Sequence, residues 1–293
     1  MPIKYKSFFS VIIPCYNVYE TVAPTLKCLE KQTFKDFEVI FVNDGSIDGT
    51  QELLEKFQLK QKINIIKQTN KGLGSARNVG ISASKGKYIA LLDADDKWEK
   101  QKLKMVHDYI SIHNCDLVCH NEYVINEKNE LLKKNNYGPY TSFDDLFFKN
   151  NCLSPSAVTI KRKVFDSVGY FTENLQMHGV EDYDMWLRMA LAKINIKYMP
   201  EFLGSYIIHG NNMSTQYNFY EKMEAIHLIH IKNINLNDNR NAVRYKIKLL
   251  KLYLSKFKAA VKNLKLSEIY LIQKDMFYLI FLFDQFINIK TNR

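Results

Sequence analysis

Long apolar runs are missing from this 293-residue chain. The strongest candidate, MFYLIFLFDQFI, is short and interrupted by Asp284, so it does not predict a membrane-spanning helix. The N-terminal stretch MPIKYKSFFSVIIPCYN breaks at Pro14 and lacks a small-residue cleavage site, so it indicates a first strand instead of a signal peptide. We therefore expect a globular, cytoplasmic protein that buries a sizeable core.

Cysteine is also scarce, with five residues scattered along the chain. The odd number argues against a disulfide framework. Cys115 and Cys119 have a spacing that could begin a zinc site, but no second ligand pair follows it. We therefore expect reduced thiols in a cytoplasm.

Acidic residues are absent between Asn239 and Ser267, where lysines and arginines alternate with leucines. Much of the formal net charge of +10 therefore lies in this C-terminal stretch. The pattern favours a basic amphipathic surface for an anionic membrane, or a solvated helical face that packs its leucines on the rest of the chain. A nucleic-acid-binding function is disfavoured, because no recognisable module or aromatic stacking pattern accompanies the charge.

Short β-branched and aromatic runs alternate with segments of helical period over the first hundred residues, which predicts an α/β fold with a mostly parallel sheet covered by helices on both faces. The predicted strands are Phe8 to Ile13, Phe37 to Val42, Ile63 to Lys67 and Tyr88 to Leu92. The predicted helices are Val22 to Gln32, Asp48 to Phe57 and Leu73 to Ser84.

The pattern becomes mixed after residue 101. Helices are predicted at Lys102 to His113, Phe143 to Lys149 and Glu181 to Lys193, strands at Leu117 to Ile125 and Ser156 to Ile160, and a polar turn region at NEKNELLKKNNYG. After about Asn218 the chain reads as helical and rich in lysine.

Three acids, Asp93, Asp95 and Asp96, follow the fourth predicted strand directly. Ligands collect beyond the carboxyl ends of strands in such sheets, and two carboxylates there can hold Mg²⁺ or Mn²⁺ together with substrate phosphates. The alternative for Asp96 is that it caps a helix starting near Trp98.

Two other loops follow strand ends. Asp44, in a glycine turn, is placed to accept the imide N–H of uracil, while Ser46 or Asp48 caps the next helix. In NKGLGSARNVG, Arg77 stands where a dinucleotide fingerprint needs its third glycine. The loop can still bring backbone N–H groups and a fixed positive charge to a diphosphate, or it can be a loop with a surface arginine.

Glu181 and Asp182 open a predicted helix, where acids either stabilise the helix terminus or leave one carboxylate free to act as a general base. His209 stands alone after a predicted strand, a position typical of a structural histidine. The loops around Asn151 to Ser156 and Gln176 to Val180 are the expected specificity determinants.

In order, SVIIPCYN, FKDFEVIFVNDGSIDGT, NKGLGSARNVGI, YIALLDADD, GVEDYDMWLRMA and YIIHGNNMS resemble the family 2 glycosyltransferases of GT-A fold, over roughly residues 8 to 215. The resemblance implies inverting transfer of a sugar from a nucleotide donor, usually UDP-linked, with Mn²⁺ or Mg²⁺ as cofactor. One departure is Asn43, where the family often has an acid. The resemblance implies a nucleotide site of Pro14, Tyr16, Asn17, Glu20, Asp44, Lys71, Arg77 and Asp93, a metal site of Asp95 and His209, and a catalytic pair of Glu181 and Asp182, with the second acid as base.

These expectations divide the chain into a GT-A catalytic domain at 1–217 and a basic helical region at 218–293. Within the first, residues 1–100 would bind the nucleotide and 101–217 the acceptor. The expected partners are a nucleotide sugar and a glycan or lipid-linked glycan at the inner face of a bacterial inner membrane, in polysaccharide, capsule or lipooligosaccharide synthesis. A nucleotide-sugar-binding protein without transferase activity, or a basic nucleic-acid-binding protein, remain the alternatives.

Overall fold

The computed structural model describes residues 5–149, 151–210, 219–235, 237–262, 269 and 271–276. The chain divides into two compact units, Met1–Asn212 and Met213–Arg293. The predicted boundary between residues 217 and 218 lies outside the described residues, and the assignment of halves to nucleotide and acceptor stays a prediction.

The first part of the first unit alternates strand and helix as predicted, because its apolar runs are long enough for strands buried on both faces. Every residue of the second strand is buried. The elements are β1 (Ser7–Cys15), α1 (Ala23–Glu30), β2 (Phe37–Asn43), α2 (Thr50–Lys56), β3 (Lys62–Lys67), α3 (Leu73–Ala83) and β4 (Gly86–Leu91).

The remainder of this unit contains the predicted helices and strands with three additions, β5, β7 and α6. Its elements are β5 (Lys97–Trp98), α4 (Lys102–His113), β6 (Leu117–Asn126), β7 (Leu131–Asn135), α5 (Phe143–Lys149), β8 (Val158–Lys161), α6 (Val164–Val168), α7 (Glu181–Leu191) and β9 (Ile196–Ile208). The prediction of a turn region throughout NEKNELLKKNNYG is wrong for Leu131–Asn135, which form β7. Leu131 and Leu132 are both more than half exposed, so β7 is held by backbone pairing with β6 and lacks the apolar alternation of a half-buried strand.

The strands form one sheet in the order β3-β2-β1-β4-β8-β6-β9-β5, with β7 paired to β6. The four strands of the first part are parallel, and β6 is also parallel to β9. β8, β5 and β7 pair antiparallel with their neighbours, so the sheet is mixed overall. The carboxyl ends of β1, β2 and β4 therefore meet at one edge.

A hydrophobic core fills the space between one face of the sheet and helices α1 and α4, and Val11, Phe41 and Leu103 are fully buried there. On the other face, α3 lies close to the sheet through Gly80. A Cβ at Gly80 would stand 2.4 Å from a methyl carbon of Ile12. This close approach fixes the start of α3 above the edge where β1, β2 and β4 end.

The second unit contains α8 (Phe219–His230) and α9 (Asn239–Lys262), in agreement with the predicted helical character. Glu224 of α8 accepts hydrogen bonds from Tyr253 Oη at 2.6 Å and Lys256 Nζ at 2.7 Å, and so joins the two helices. Across the described residues, every helix is either too short or too polar to cross a bilayer.

Candidate active site

The loops after β1 and β2 form one wall of the candidate site. Asn17, in a left-handed conformation with φ of 50°, accepts a hydrogen bond from Ile47 N through Oδ1, and its own N–H donates to Ser46 Oγ. Tyr16 is half exposed beside it. Of the other predicted nucleotide residues here, Pro14 is buried at the end of β1 and Glu20 is exposed. Exposed aromatic and amide groups on a braced loop are suited to stacking on a base.

Asp44 organises the loop that follows β3. Its Oδ1 accepts from Gln68 Nε2 at 2.7 Å and from Lys71 N at 2.9 Å, and its Oδ2 accepts from Gly72 N at 2.8 Å. The carboxylate thus turns the chain toward the start of α3. One acceptor direction of the carboxylate remains, so the predicted base contact of Asp44 stays a prediction. Gly49 is the N-cap residue of α2, so neither predicted residue occupies the cap position: Asp48, just before it, accepts from Thr50 N, and Ser46 accepts from Asn17 N.

Arg77 joins the end of β4 to the helix that carries the expected base. Its Nη2 lies 2.8 Å from Asp93 Oδ1 and its Nη1 lies 2.6 Å from Glu181 Oε1. The side chain is 1% exposed, and the two carboxylates raise the pKa of the guanidinium above its usual range despite burial. The alternative of a surface arginine is therefore wrong, and Arg77 fixes the spacing between Asp93 and Glu181.

Asp95 and His209, the two residues expected at the metal site, contact each other, and their role as metal ligands stays a prediction. His209 follows β9, and its Nε2 lies 2.7 Å from Asp95 Oδ2. The described residues contain no cluster of three ligating side chains. Two protein ligands nevertheless suit Mg²⁺ or Mn²⁺, which commonly takes its remaining ligands from phosphate oxygens and water. The donor set therefore fits the expected cation.

Asp96 does not cap a helix, contrary to the alternative weighed from the sequence. Residues Lys97–Trp98 form β5, and α4 begins only at Lys102. The Asp96 side chain points inward instead: Oδ2 accepts from Ser156 Oγ at 2.6 Å and Oδ1 from Ile207 N at 3.1 Å. Asp96 therefore braces the turn that presents Asp95.

Asp182 lies in the first turn of α7 and is partly exposed. Burial raises the pKa of its carboxyl to about 7, and the neighbouring Glu181 carboxylate contributes to the increase. Arg77 and hydrogen bonds from Asn151 and the Tyr183 backbone act in the opposite direction. A carboxylate with a pKa near neutrality is matched to the work of a general base.

Three further residues make contacts at the site: Asn151 and His178 lie in the two loops expected to determine specificity, whereas Asn78 belongs to no predicted site. Leu73 N donates to His178 Nε2 at 3.2 Å, Asn78 pairs with both backbone groups of Phe171, and Asn151 contacts Asp182. These contacts join residues far apart in the chain, so no local pattern signals them. The specificity prediction identified the loops of Asn151 and His178 but not these contacts.

Residues 10–169 match the family described as Glycosyl transferase family 2, and this segment is more than half of the chain. The chain therefore belongs to glycosyl transferase family 2, and the predicted enzyme class, glycosyltransferase, is confirmed.

Among curated relatives, the chain is 29% identical over 233 residues to the amylovoran biosynthesis glycosyltransferase AmsB of Erwinia amylovora. The matched segment covers 74% of each protein. It spans 99% of the putative teichuronic acid biosynthesis glycosyltransferase TuaG from Bacillus subtilis, at 25% identity. It spans only 26–40% of the length of four other, longer relatives.

Solved structures confirm the GT-A type fold. S. aureus TarS 1-349 in complex with UDP-GlcNAc has a TM-score of 0.68 and 24% identity, with 93% of this chain and 81% of that chain covered. Mannosyltransferase PcManGT from Pyrobaculum calidifontis, in complex with GDP-Man and Mn²⁺, has a TM-score of 0.63 and 14% identity, with 98% and 81% covered.

Proposed function

We propose that the chain transfers a sugar from a UDP-sugar to a hydroxyl of a glycan acceptor, with inversion at the anomeric carbon, in the synthesis of a bacterial surface polysaccharide, capsule or lipooligosaccharide. The observation that carries the proposal is the bridge from Asp93 through Arg77 to Glu181, which holds a donor-side carboxylate and the partly exposed Asp182 in one site. AmsB, named for amylovoran biosynthesis, and TarS, solved with UDP-GlcNAc, support the polysaccharide role and the class of donor.

Asp182 is the proposed general base. It takes the proton of the acceptor hydroxyl as that oxygen attacks the anomeric carbon from the face opposite the leaving diphosphate, which inverts the configuration. A positioned base of this kind contributes about 10²- to 10⁴-fold in rate. Glu181 holds the first turn of α7 through Arg77 and the backbone N–H of Gly179.

On the donor side, Asp93 would face the ribose, Asp44 the base, and Lys71 the base or the diphosphate, next to Tyr16 and Asn17. Arg77 acts through Asp93 and Glu181, because its side chain is buried between them. Asp95 and His209 would hold Mn²⁺ or Mg²⁺, which as a Lewis acid stabilises the negative charge that develops on the departing diphosphate.

The test is a screen of UDP-sugars, beginning with UDP-GlcNAc, for release of UDP in the presence of Mn²⁺. Release is expected to need the cation and to fall by about 10²- to 10⁴-fold in Asp182→Asn. Asn195→Ala, which removes an exposed amide on the turn after α7, is the matched control and should keep full activity. Release that survives both EDTA and Asp182→Asn contradicts the proposal, and binding of UDP-sugars without release favours a binding protein without transferase activity.

The helix α9 is the proposed contact with an anionic membrane surface. Val243, Ile247, Leu254 and Val261 are 40–46% exposed, and their spacings of four, seven and seven residues put them on one face. Lys251 and Lys258 are exposed on the same face. We name these six residues the α9 stripe. Exposed apolar groups among lysines fit the boundary between anionic headgroups and acyl chains, where each lysine contributes roughly 1 kcal/mol.

Vesicle sedimentation tests this contact. The full chain should sediment with vesicles that contain phosphatidylglycerol and not with phosphatidylcholine vesicles, and added salt should release part of it. Replacement of both Ile247 and Leu254 by Ser should weaken sedimentation, whereas Asn195→Ala should not. A lack of sedimentation overturns the membrane contact, as does a concentration-dependent increase in mass without lipid, which indicates a second copy of the chain as occupant. Binding to oligonucleotides instead would favour the nucleic-acid alternative.

A further inference from the structure

Asn151, at the start of the loop after α5, contacts the proposed base directly. Its Nδ2 donates to Asp182 Oδ2 at 2.9 Å. The orientation of the amide is set by its other end, because Asn151 Oδ1 accepts from Leu153 N at 3.4 Å. A flipped amide would place an oxygen against the carboxylate and an N–H₂ group against a donor, so Nδ2 is the atom that faces Asp182.

The position of Asn151 relative to Asp182 is fixed by the packing of α5 on α7. Tyr183, the residue after Asp182, is 1% exposed, and its hydroxyl donates to Leu146 O at 3.0 Å and Phe147 O at 3.2 Å. The last carbonyls of a helix have no partner within it, so Tyr183 satisfies groups that α5 leaves open. The end of α5 is thereby tied to the first turn of α7, and Asn151 follows only a short way along the chain.

The two oxygens of Asp182 have different surroundings. Oδ1 accepts from Tyr183 N at 2.7 Å and so belongs to the helix terminus. Oδ2 accepts from Asn151, whose side chain is exposed, and keeps one further lone pair. Oδ2 is therefore the oxygen assigned to the incoming hydroxyl.

We infer that Asn151 is a positioning residue for the proposed base: its amide orients Oδ2 of Asp182 toward the acceptor hydroxyl and stabilises the carboxylate. The inference rests on the proposed function. In the reaction, the acceptor O–H bond breaks, its proton passes to Oδ2, and the acceptor oxygen forms the new glycosidic bond as the bond between sugar and diphosphate breaks. A hydrogen bond to Oδ2 that is present before the reaction prevents the carboxylate from rotating away.

Substitution of Asn151 leaves the charged neighbours of Asp182 in place. Glu181 stands next to it on α7, and Arg77 approaches from α3. Among the described helices, α5 and α6 also pack on α7, and they carry Asp144, Asp145 and Lys149 on α5 and Asp166 on α6. Loss of the Asn151 donor alone should therefore raise the pKa of Asp182, because the ionised form loses a hydrogen bond.

The experiment compares the pH dependence of UDP release for the wild type and Asn151→Ala. The donor is UDP-GlcNAc or the fastest donor of the screen, and the acceptor is water or the glycan. The wild-type rate should rise through a pKa near 7. In Asn151→Ala this rising limb of the pH–rate curve should shift to higher pH by about one unit. The rate should therefore fall about fivefold at pH 7 and recover almost fully at pH 9. Asn151→Asp, which adds a like charge, should move the limb further.

A loss of rate that is the same at every pH overturns the inference, because it indicates a purely structural role. A limb that does not move in either variant overturns it as well. Asn195→Ala is the matched control for removal of an exposed amide. Affinity for UDP, measured by calorimetry, should be unchanged in Asn151→Ala. If the wild type releases no UDP from any donor, the proposed function fails; if it does release UDP and only the limb is unaffected, the role of Asn151 alone fails.

Discussion

Asp182→Asn should stabilise the protein at neutral pH while it removes the activity. In the folded state the pKa of Asp182 is raised from 3.8 to about 7, mainly by burial. The folded protein therefore holds this proton more tightly than the unfolded chain, and the wild type loses stability as the pH rises from 3.8 toward 7. An asparagine carries no such cost, and the difference between variant and wild type should grow over this range.

The size of the effect follows from the same shift. A change from 3.8 to about 7 corresponds to at most about 4 kcal/mol above pH 7. Asp182 is partly exposed, and solvent screening reduces this to about 2 kcal/mol. Somewhat more than half of this stability difference, about 1 kcal/mol, develops between pH 5 and pH 8. For a unit of this size it corresponds to about 2–4 °C in Tm.

Thermal unfolding at a series of pH values between 5 and 8 measures this difference. The Tm of Asp182→Asn minus that of the wild type should increase with pH. Asn195→Ala, which removes no titrating group, should differ from the wild type by the same amount at each pH. A difference that stays constant or decreases with rising pH would refute the argument that Asp182 is held in its ionised form at a cost to the fold.

Arg77→Met should lower the free energy of unfolding by about 3–5 kcal/mol, because it leaves the carboxylates of Asp93 and Glu181 without their shared cation. Denaturant titration measures this, and unchanged stability would contradict the bridging role. Gly74→Ala should cost about 1–3 kcal/mol, since the new Cβ would lie 2.3 Å from Thr172 O. Gly210→Ala is its control, because a new Cβ there would have no atom of the described residues within 4 Å. Equal stability of the two variants would contradict a tight approach at Gly74.

The fold was predictable from the sequence wherever burial imposes a repeating pattern. β2 is apolar along most of its length, and α4 has the same bounds, Lys102–His113, as the helix that its apolar periodicity predicts. β5 and β7 were missed because their pairing depends on partners distant in the chain, with little apolar signal of their own. The mixed character of the sheet likewise follows from β8 inserting antiparallel between β4 and β6, which no local pattern specifies.

The candidate site was predictable to the extent that its residues follow strand ends or open helices. The meeting of Asp95 with His209 followed from the order of the segments that resemble the family. The role of Asp96 was not predictable, because a capping aspartate and one that braces a turn have the same sequence context. The contact of Asn151 with Asp182 depends on helix packing and lies beyond any short motif.

Asn78 has a consequence for protein engineering. Its amide donates to Phe171 O at 2.9 Å and accepts from Phe171 N at 2.9 Å, as a neighbouring strand would. The adjacent residue, Arg77, forms an ion pair with Glu181. A hybrid that takes residues 101–217 from another family member must therefore exchange the start of α3 together with residues 171–182, since a junction between them would separate side chains that contact each other.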